Sequence, residues 1–171
     1  IFINRSHSLD TLRWFFNDEV KRVYSVSRSG VLSEMGVDTV DEYLTTIEFK
    51  NGGIAQMENG WITPNANPCV NDIKCNLCGD KGMISIDASN HNLIQKYTDR
   101  EVRVPDVLVQ NHVFGEPKGF AFESVKTFVD RIYDGRDFPL TIYDAANTSL
   151  AILSIMESAK NRMPVEVETI R

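Results

Sequence analysis

Side chains alternate in character along several stretches of the chain, which is the pattern expected of β-strands. Between positions 43 and 49 every second residue is Tyr, Thr, Ile or Phe, and this period of two places them on one face of a strand. The turn Asn51-Gly52-Gly53 follows and predicts a hairpin, because such residues accept a positive φ at little steric cost. The same reasoning predicts strands over residues 20–28, 42–50, 54–61, 72–78, 83–87, 92–97 and 101–104.

Apolar residues at helical spacing occur near both ends of the chain. Leu9, Leu12 and Phe16 lie three or four residues apart and predict an amphipathic helix close to the N-terminus. Residues 122–134 show the same spacing and precede Gly135, so a second helix is predicted there. Helices are therefore expected on either side of the run of strands.

The last predicted helix covers residues 141–161. Thr141 and Asp144 at its start form a short-acid variant of the capping box. We expect this helix to be well buried, because its apolar positions cover a wide arc: Ala145, Ala146, Leu150, Ile152, Leu153 and Met156.

The order of these elements is a helix, a run of strands and two further helices. This order is typical of an α+β fold, here an open, mainly antiparallel β-sheet with helices packed on one face. The other face of such a sheet is left to water or to a partner, and the strand 42–50 carries apolar or semi-polar side chains on both faces. We therefore expect the second face to be available for dimerisation. With 171 residues, the chain 1–171 is expected to form a single α+β domain.

Charge and hydropathy exclude two classes of partner. The chain has 18 Lys and Arg against 24 Asp and Glu, a net charge of −6, with no basic patch of the kind that binds nucleic acid. No apolar stretch approaches the roughly 20 residues that cross a bilayer. We therefore expect a cytoplasmic protein that binds neither nucleic acid nor membranes.

The three cysteines are expected to be packing residues. Cys75 and Cys78 match a C-x-x-C pattern, but they lie on a predicted strand, where side chains three apart point to opposite faces. The remaining cysteine, Cys69, leaves an odd count, which does not fit a disulfide framework. No second Cys or His pair completes a zinc tetrahedron, so no metal site is expected.

His7 is the candidate catalytic residue. His7 and Asp10 lie three apart on one face of the first helix, opposite the apolar stripe. We expect His7 at the helix entrance, with the rest of the helix anchoring the imidazole. Two alternatives remain: His7 forms a local hydrogen bond, and Asp10 is structural because the helix dipole favours a carboxylate in the first turn. His7 lies so near the start that we expect its partner groups in an upstream half of a longer enzyme.

Two further residues are candidates for contact with a substrate. Trp61 lies at a predicted strand end beside a proline-containing loop, where a core or interface role is the alternative to stacking against a substrate. His112 lies on a long predicted loop, residues 105–119, and loops of this length are usually functional. A solvated loop position is the alternative for His112.

An ordered set of weak motifs resembles the C-terminal domain of the glucose–fructose oxidoreductase, inositol dehydrogenase and MocA (Gfo/Idh/MocA) family. The resemblance covers nearly the whole chain. The motifs are the entry helix His7-x-x-Asp10-x-x-x-Trp14, the hairpin Phe49-x-Asn51-Gly52, the spacing Gly60-Trp61-x-x-Pro64, the turn Gly79-x-x-Gly82 before Ile84-x-Ile86-Asp87, and a closing helix through Ala145, Ser158 and Ala159 followed by Pro164-Val165.

The resemblance implies an NAD(P)-dependent oxidoreductase that acts on a sugar, polyol or related hydroxy compound. Family members bind NAD or NADP in an N-terminal Rossmann domain, which also supplies a catalytic lysine, and both lie outside this sequence. The sequence has no glycine-rich phosphate loop, so we expect no cofactor-binding residues in this chain and no activity from it alone. The C-terminal domain of the family contributes substrate binding and a homo-oligomer interface.

His7 aligns with the family histidine that touches the reacting hydroxyl or carbonyl. Where the family often has an aspartate four residues earlier, this chain has Ile3, and the next residue, Asn4, can bind a sugar hydroxyl but cannot act as a carboxylate base. This departure favours an alternative function, a non-catalytic ligand-binding or assembly module that retains the fold. The residues expected to bind substrate are Asn4, Arg5, Asp10, Trp61 and His112.

Overall fold

A computed structural model describes residues 2–69, 72–89 and 94–170, with side chains at the N-terminus from Ser6 onward. The predicted residues Asn92 and Leu93 of one strand lie outside this part. The chain divides into two compact units, one of residues 1–62 and 139–171 and one of residues 63–138. Each unit is described by itself.

The described residues form four helices and ten strands, in an order close to the one predicted. Their bounds are α1 Phe2–Phe16, β1 Val20–Arg28, α2 Val31–Glu34, β2 Glu42–Phe49, β3 Ile54–Gly60, β4 Lys74–Gly79, β5 Gly82–Asp87, β6 Lys96–Tyr97, β7 Val102–Arg103, β8 Asn111–Val113, β9 Glu116–Lys118, α3 Phe120–Asp134, α4 Ile142–Asn161 and β10 Val165–Glu166.

The first unit is a four-stranded antiparallel sheet with α1 and α4 on one face. The strands lie in the order β10-β1-β2-β3, and each neighbouring pair is antiparallel. The four residues of β2 that were predicted to share one face are all buried: Tyr43, Thr45, Ile47 and Phe49. This confirms the α+β class with an open antiparallel sheet. The buried hydrophobic core consists of Leu9, Val20, Val23, Tyr43, Ile47, Phe49, Met57, Ala151, Ile152, Ile155, Ala159 and Val167.

The β2–β3 hairpin holds the C-terminal end of α1. Gly52 has a φ of +90°, which only glycine adopts without strain, and this confirms the predicted turn. A Cβ at Gly53 would lie 2.5 Å from the ring of Phe16, so the backbone approaches the helix closely there. The Asn51 side-chain amide donates to the Phe16 carbonyl at 3.3 Å. The glycines of this turn are therefore needed for both conformation and space.

The opposite face of the sheet, here called the outer face, is open. Its central side chains Tyr24, Val26 and Leu44 are 41 to 50% exposed, although they are apolar or aromatic. Arg22 and Glu48 form an ion pair across β1 and β2, with N–O distances of 2.6 and 2.8 Å from one guanidinium nitrogen to the two carboxylate oxygens. The outer face thus presents an apolar strip bordered by charged side chains.

The second unit contains three two-stranded hairpins and α3. The hairpins pair β4 with β5, β6 with β7, and β8 with β9, all antiparallel. Before α3, the carboxylate of Asp106 accepts backbone N–H bonds from Leu108, Val109 and Gln110 at 2.9 to 3.2 Å. The helix α3 ends at Gly135, which is left-handed with a φ of 64°, as the sequence predicts. None of its own side chains is buried.

Three predictions of local structure are wrong in detail. The region 29–38, for which the sequence predicts neither a helix nor a strand, contains the short helix α2, because the buried carboxylate of Asp41 accepts the Val31 and Leu32 N–H groups at 2.9 and 2.8 Å. The region 105–119 contains the hairpin of β8 and β9. The helix α4 is buried along a narrower stripe than predicted, since Leu153 and Met156 are 54 and 41% exposed.

The cysteines are only partly as predicted. Cys75 and Cys78 lie on β4, which confirms the strand, and all three cysteines are free. The packing role is wrong for Cys78, which is exposed. Among the described residues, no group of three or more His, Cys, Asp and Glu side chains could hold a metal ion. Within the same part of the chain, no helix is both long and apolar enough to cross a membrane.

The start of α4 is fixed by a reciprocal capping box. The Asp144 N–H donates to the Thr141 hydroxyl at 3.2 Å, and the Thr141 N–H donates to the Asp144 carboxylate at 2.8 Å. The pKa of Asp144 is lowered from its ordinary value, first by the Thr141 hydroxyl and then by the Thr141 N–H, and also by Arg13. These donors favour the ionised carboxylate, so they stabilise the folded state only while Asp144 is charged.

We expect Asp144→Ala to lower the free energy of unfolding by about 1 kcal/mol at pH 7, the usual contribution of a capping interaction. A lowered folded-state pKa stabilises the fold above the unfolded pKa of about 3.9 and is lost as the pH falls through the folded value. The difference between wild type and variant should therefore shrink below about pH 4. Urea unfolding at pH 7 and pH 3 measures it, with Ser149→Ala as a control on the same helix. A difference that stays constant with pH would contradict this account.

Candidate functional site

The helix α1 presents His7 on its exposed side. The helix begins at Phe2, so His7 lies inside it and not at its entrance as the sequence predicted. Turns of helix on both sides hold the backbone, and the His7 carbonyl accepts the Thr11 hydroxyl at 2.7 Å. The His7 side chain is exposed, whereas Leu9 is fully buried, which confirms that the imidazole projects away from the apolar stripe. The imidazole therefore lies on the side of α1 that faces away from the core.

Arg13 anchors the same helix from below. Its side chain is only 7% exposed, and its guanidinium donates to both oxygens of Glu19 at 3.0 and 2.6 Å. It also donates to the Asp10 carboxylate at 3.2 Å and to the Thr148 hydroxyl at 2.8 Å. The carbonyl of Asp144 accepts a further bond at 3.0 Å. One cation therefore connects α1, the turn before β1, and α4.

The charges around Arg13 explain its state. Burial by itself lowers the pKa of Arg13, but hydrogen bonding and Coulombic attraction to Glu19, with smaller contributions from Asp10 and Asp144, raise it overall. Three carboxylates surround one guanidinium, so the cluster needs the positive charge. Asp10 also accepts the Thr148 hydroxyl at 3.2 Å through the same oxygen that faces Arg13. This contact supports the structural alternative for Asp10, and its role in substrate binding stays a prediction.

Asn59 reaches α1 from the sheet, directly beside the candidate histidine. It lies on the inner face of β3, and its amide nitrogen donates to the Ser8 hydroxyl at 3.3 Å. Ser8 follows His7 in the chain, so this contact fixes the turn of helix that carries the imidazole. The Asn59 carbonyl oxygen is buried and accepts no hydrogen bond. Sequence analysis missed this residue.

The other predicted site residues are placed as follows. Trp61 lies just past the end of β3, is 49% exposed, and donates its backbone N–H to the Asp41 carbonyl at 3.0 Å. Asn4 and Arg5 lie on α1, and their side chains are outside the described part. His112 lies on β8 in the second unit and is exposed. The substrate-binding roles of these four residues stay predictions.

Arg13 was also missed by sequence analysis, although a signal existed. It lies four residues after Leu9 and three before Phe16, which places a charged residue within the apolar stripe. A buried arginine requires acceptors from elsewhere, and these come from Glu19 and from residues more than 130 positions later. The residue itself could have been flagged, but its partners could not have been identified.

A protein family described as "Oxidoreductase family, C-terminal alpha/beta domain" (GFO_IDH_MocA_C) matches residues 1–167 of the chain. No protein of curated function is similar enough in sequence to match.

Several solved structures share the fold. A myo-inositol 2-dehydrogenase from Lactobacillus plantarum matches with a TM-score of 0.69 and 18% identity, over 95% of this chain and 47% of its own. The protein GenD2 from gentamicin A biosynthesis, in complex with NAD, matches with a TM-score of 0.75 and 19% identity, over 96% of this chain and 46% of its own. A scyllo-inositol dehydrogenase from Lactobacillus casei, with bound NAD(H) and scyllo-inositol, matches with a TM-score of 0.68 and 21% identity, over 94% of this chain and 46% of its own. The chain spans about half the length of these proteins.

We expect Arg13→Met to lower the free energy of unfolding by about 3 kcal/mol, because breaking a buried ion pair leaves uncompensated charge. Here three carboxylates would remain without their cation. Arg22→Met is the matched control, since it removes an exposed guanidinium from the Glu48 pair and should change stability little. Urea unfolding of both variants measures the difference. Equal losses would mean that the buried network does not hold α1.

Proposed function

The chain belongs to the Gfo/Idh/MocA oxidoreductase family as its C-terminal α/β domain, and we propose that it is the substrate-binding and dimerising part of an NAD(P)-dependent dehydrogenase. The observation that carries the proposal is the exposed imidazole of His7 on a helix anchored by Arg13 and Asn59. The substrate class we propose is a sugar, polyol or related hydroxy compound. The structural neighbours named as inositol dehydrogenases support this class.

NAD or NADP would be held by an N-terminal Rossmann domain that this chain does not contain. The support is the length of the neighbours, of which this chain spans about half, together with the NAD present in two of those structures. When bound, the nicotinamide supplies the hydride acceptor or donor. The contribution of the present chain is to place the substrate hydroxyl and to handle its proton.

His7 is suited to that proton transfer. A neutral imidazole can accept a proton from a hydroxyl, and a protonated one can return it to a carbonyl. Its helix is held on the buried side by Leu9 and Arg13, so the backbone that carries the ring is fixed by packing. The apolar Ile3 one turn earlier supplies no second base. The His7 imidazole is thus the one acid–base group that we place at the reacting hydroxyl.

A second candidate function is a non-catalytic ligand-binding or assembly module. Ile3, at the position where the family often has an aspartate, is the observation that favours it. The two functions differ in what a His7 substitution does to turnover.

In the full-length protein, we expect His7→Ala to lower kcat by about 10²- to 10⁴-fold, the usual contribution of one general acid–base group. Its melting temperature should barely change, because the side chain is exposed and leaves no cavity. Leu9→Ala is the control and should cost about 2–5 kcal/mol of stability, as a buried truncation does. Steady-state kinetics with a panel of polyols and thermal melts measure both.

Two results would contradict the assignment. A stable His7→Ala protein with unchanged kcat would move the acid–base group elsewhere. A full-length wild-type protein that binds polyols but turns over none with NAD or NADP would favour the non-catalytic module.

We also propose that the outer face of the sheet forms the interface of a homodimer. Its apolar strip of Tyr24, Val26 and Leu44 is about half exposed, which is costly for a free surface. A two-fold contact between two copies buries the same strip twice.

We expect the wild-type chain to sediment as a dimer at tens of micromolar, a concentration at which weak dimers of about 10 µM Kd form. Leu44→Glu should weaken the dimer at least about tenfold, because it places a charge in the apolar centre of the interface. Leu153→Glu is the matched control: this leucine of α4 is 54% exposed, against 50% for Leu44, and lies off the outer face. Sedimentation equilibrium of the three proteins decides. If Leu153→Glu alone disrupts the dimer, the interface lies on the helical side.

A further inference from the structure

Two carboxyl groups lie against each other at one end of the outer face. Glu42 begins β2, and Glu58 lies on β3 two positions from Gly60, the cross-strand partner of Glu42. A hydrogen bond with Glu58 is the largest cause of the raised pKa of Glu42, followed by burial and by Coulombic repulsion from Glu58. The other charged groups that face Glu42 are Arg28, which lowers its pKa, and Asp41, which raises it. Arg28, the cross-strand partner of Glu42, supplies one positive charge for two carboxyl groups, so the negative charge of the pair is only partly balanced.

A cationic notch lies at the same end of the sheet, beyond the edge of β1. It is a surface cavity of about 400 Å³ between this edge and the C-terminal end of α4. Within the described part of the chain, the exposed ammonium of Lys160 and guanidinium of Arg162 pair with no carboxylate. The notch is lined by Tyr24, Val26, Ser27, Ala159, Lys160 and Arg162.

The backbone of β1 adds a donor to this notch. The strand β10 pairs with only two residues of β1, and beyond it the Ser25 N–H donates to the Ser158 hydroxyl at 2.9 Å. That hydroxyl donates in turn to the Met163 carbonyl at 2.7 Å. Because N–H groups on the same side of a strand recur every second residue, the Ser27 N–H points the same way as that of Ser25. The notch thus combines two cations with an outward N–H, which suits a carboxylate.

The sheet topology relates the acid pair to the notch. The C-terminal end of β1, the start of β2 and the end of β3 all lie at one end of the sheet, because the strands are antiparallel. The notch lies beside β1 and the acid pair lies across β2 and β3. Consider a two-fold axis that runs parallel to the strands within the plane of the interface. It places the same end of both sheets together, and it sets the β1 side of one sheet opposite the β3 side of the other. The acid pair of one copy then faces the notch of the other, twice per dimer.

We propose that two copies of this chain associate through their outer faces with the Glu42–Glu58 pair of each copy bound in the Lys160–Arg162 notch of the other. This inference rests on the proposed dimerisation and names the groups that set its register. The occupant is a second copy because each chain offers both unbalanced charges, and only a reciprocal contact balances them together. Each contact between an acid pair and a notch is here called a junction. The apolar strips of the two outer faces pack between the two junctions.

A charge-exchange experiment tests the proposal on the chain itself. The notch variant carries Lys160→Glu and Arg162→Glu, and the acid-pair variant carries Glu42→Lys and Glu58→Lys. Each homodimer then places like charges at both junctions, so its Kd should rise about 10- to 100-fold at low salt. In an equimolar mixture, a heterodimer has opposite charges at both junctions and should regain a Kd close to that of wild type.

Sedimentation velocity and energy transfer between labelled chains measure these Kd values. Lys81→Glu with Lys96→Glu is the matched control for the notch variant, because it makes the same change in net charge on exposed residues of the second unit. This control should keep the wild-type Kd. Circular dichroism melts verify folding. If Glu42→Lys with Glu58→Lys prevents folding, the milder variant Glu42→Gln with Glu58→Gln should still raise the Kd of the dimer several-fold above that of wild type.

Each contrary result is distinguishable. A wild-type chain that stays monomeric overturns the proposed dimerisation and this inference together. A dimer that survives both charge variants overturns the inference and leaves the dimer. If both variants weaken the dimer but their mixture does not recover, the acid pair and the notch do not meet, and the inference is wrong.

Discussion

The buried guanidinium of Arg13 is the interaction on which the first unit depends. It connects α1 to the turn before β1 through Glu19 and to α4 through the Asp144 carbonyl and the Thr148 hydroxyl. The same cluster reaches the C-terminal segment, because Asn147 donates to Glu19 at 3.3 Å and exchanges two hydrogen bonds with the backbone of Ile170. A single cation therefore fixes the relative positions of both helices against the sheet.

This anchoring has a direct consequence for function. The acid–base group that we propose must be held within a fraction of an ångström of its productive geometry, and residues on packed helices achieve this better than residues on loops. His7 lies on the exposed side of a helix whose buried side is held by Leu9 and Arg13. Asn59 adds a contact from the sheet at Ser8. Stability and positioning thus come from the same contacts, on opposite sides of one helix.

The two faces of the sheet differ in what covers them. The inner face is closed by α1 and α4 around a core of Ile47, Phe49 and Ile152. The outer face has no such cover among the described residues, and its charged groups are only partly paired. Arg22 forms an ion pair with Glu48, whereas Glu42, Lys160 and Arg162 form none in the part of the chain that the structure describes. An apolar strip bordered by charged side chains of this kind is a surface suited to contact between two copies.

The sequence by itself determined the local elements and the fold class. The alternation in β2, the turn at Gly52 and the capping box at Thr141 depend on neighbouring residues, so each could be predicted and each is confirmed. The family resemblance could also be seen in the order of short motifs. The helical stripe placed Leu9 inside and His7 outside, because that requires only a period of 3.6 residues.

Tertiary structure alone decided the long-range partners. The acceptors of Arg13, the Asn59–Ser8 contact and the narrow buried stripe of α4 depend on which elements meet, and the separations involved reach 135 residues. The Asp41 carboxylate starts α2 in a segment for which the sequence predicts neither a helix nor a strand. The acid pair and the cationic notch likewise share one end of the sheet only because the strands are antiparallel. Local periodicity specifies which side of an element is apolar, but only packing specifies what that side meets.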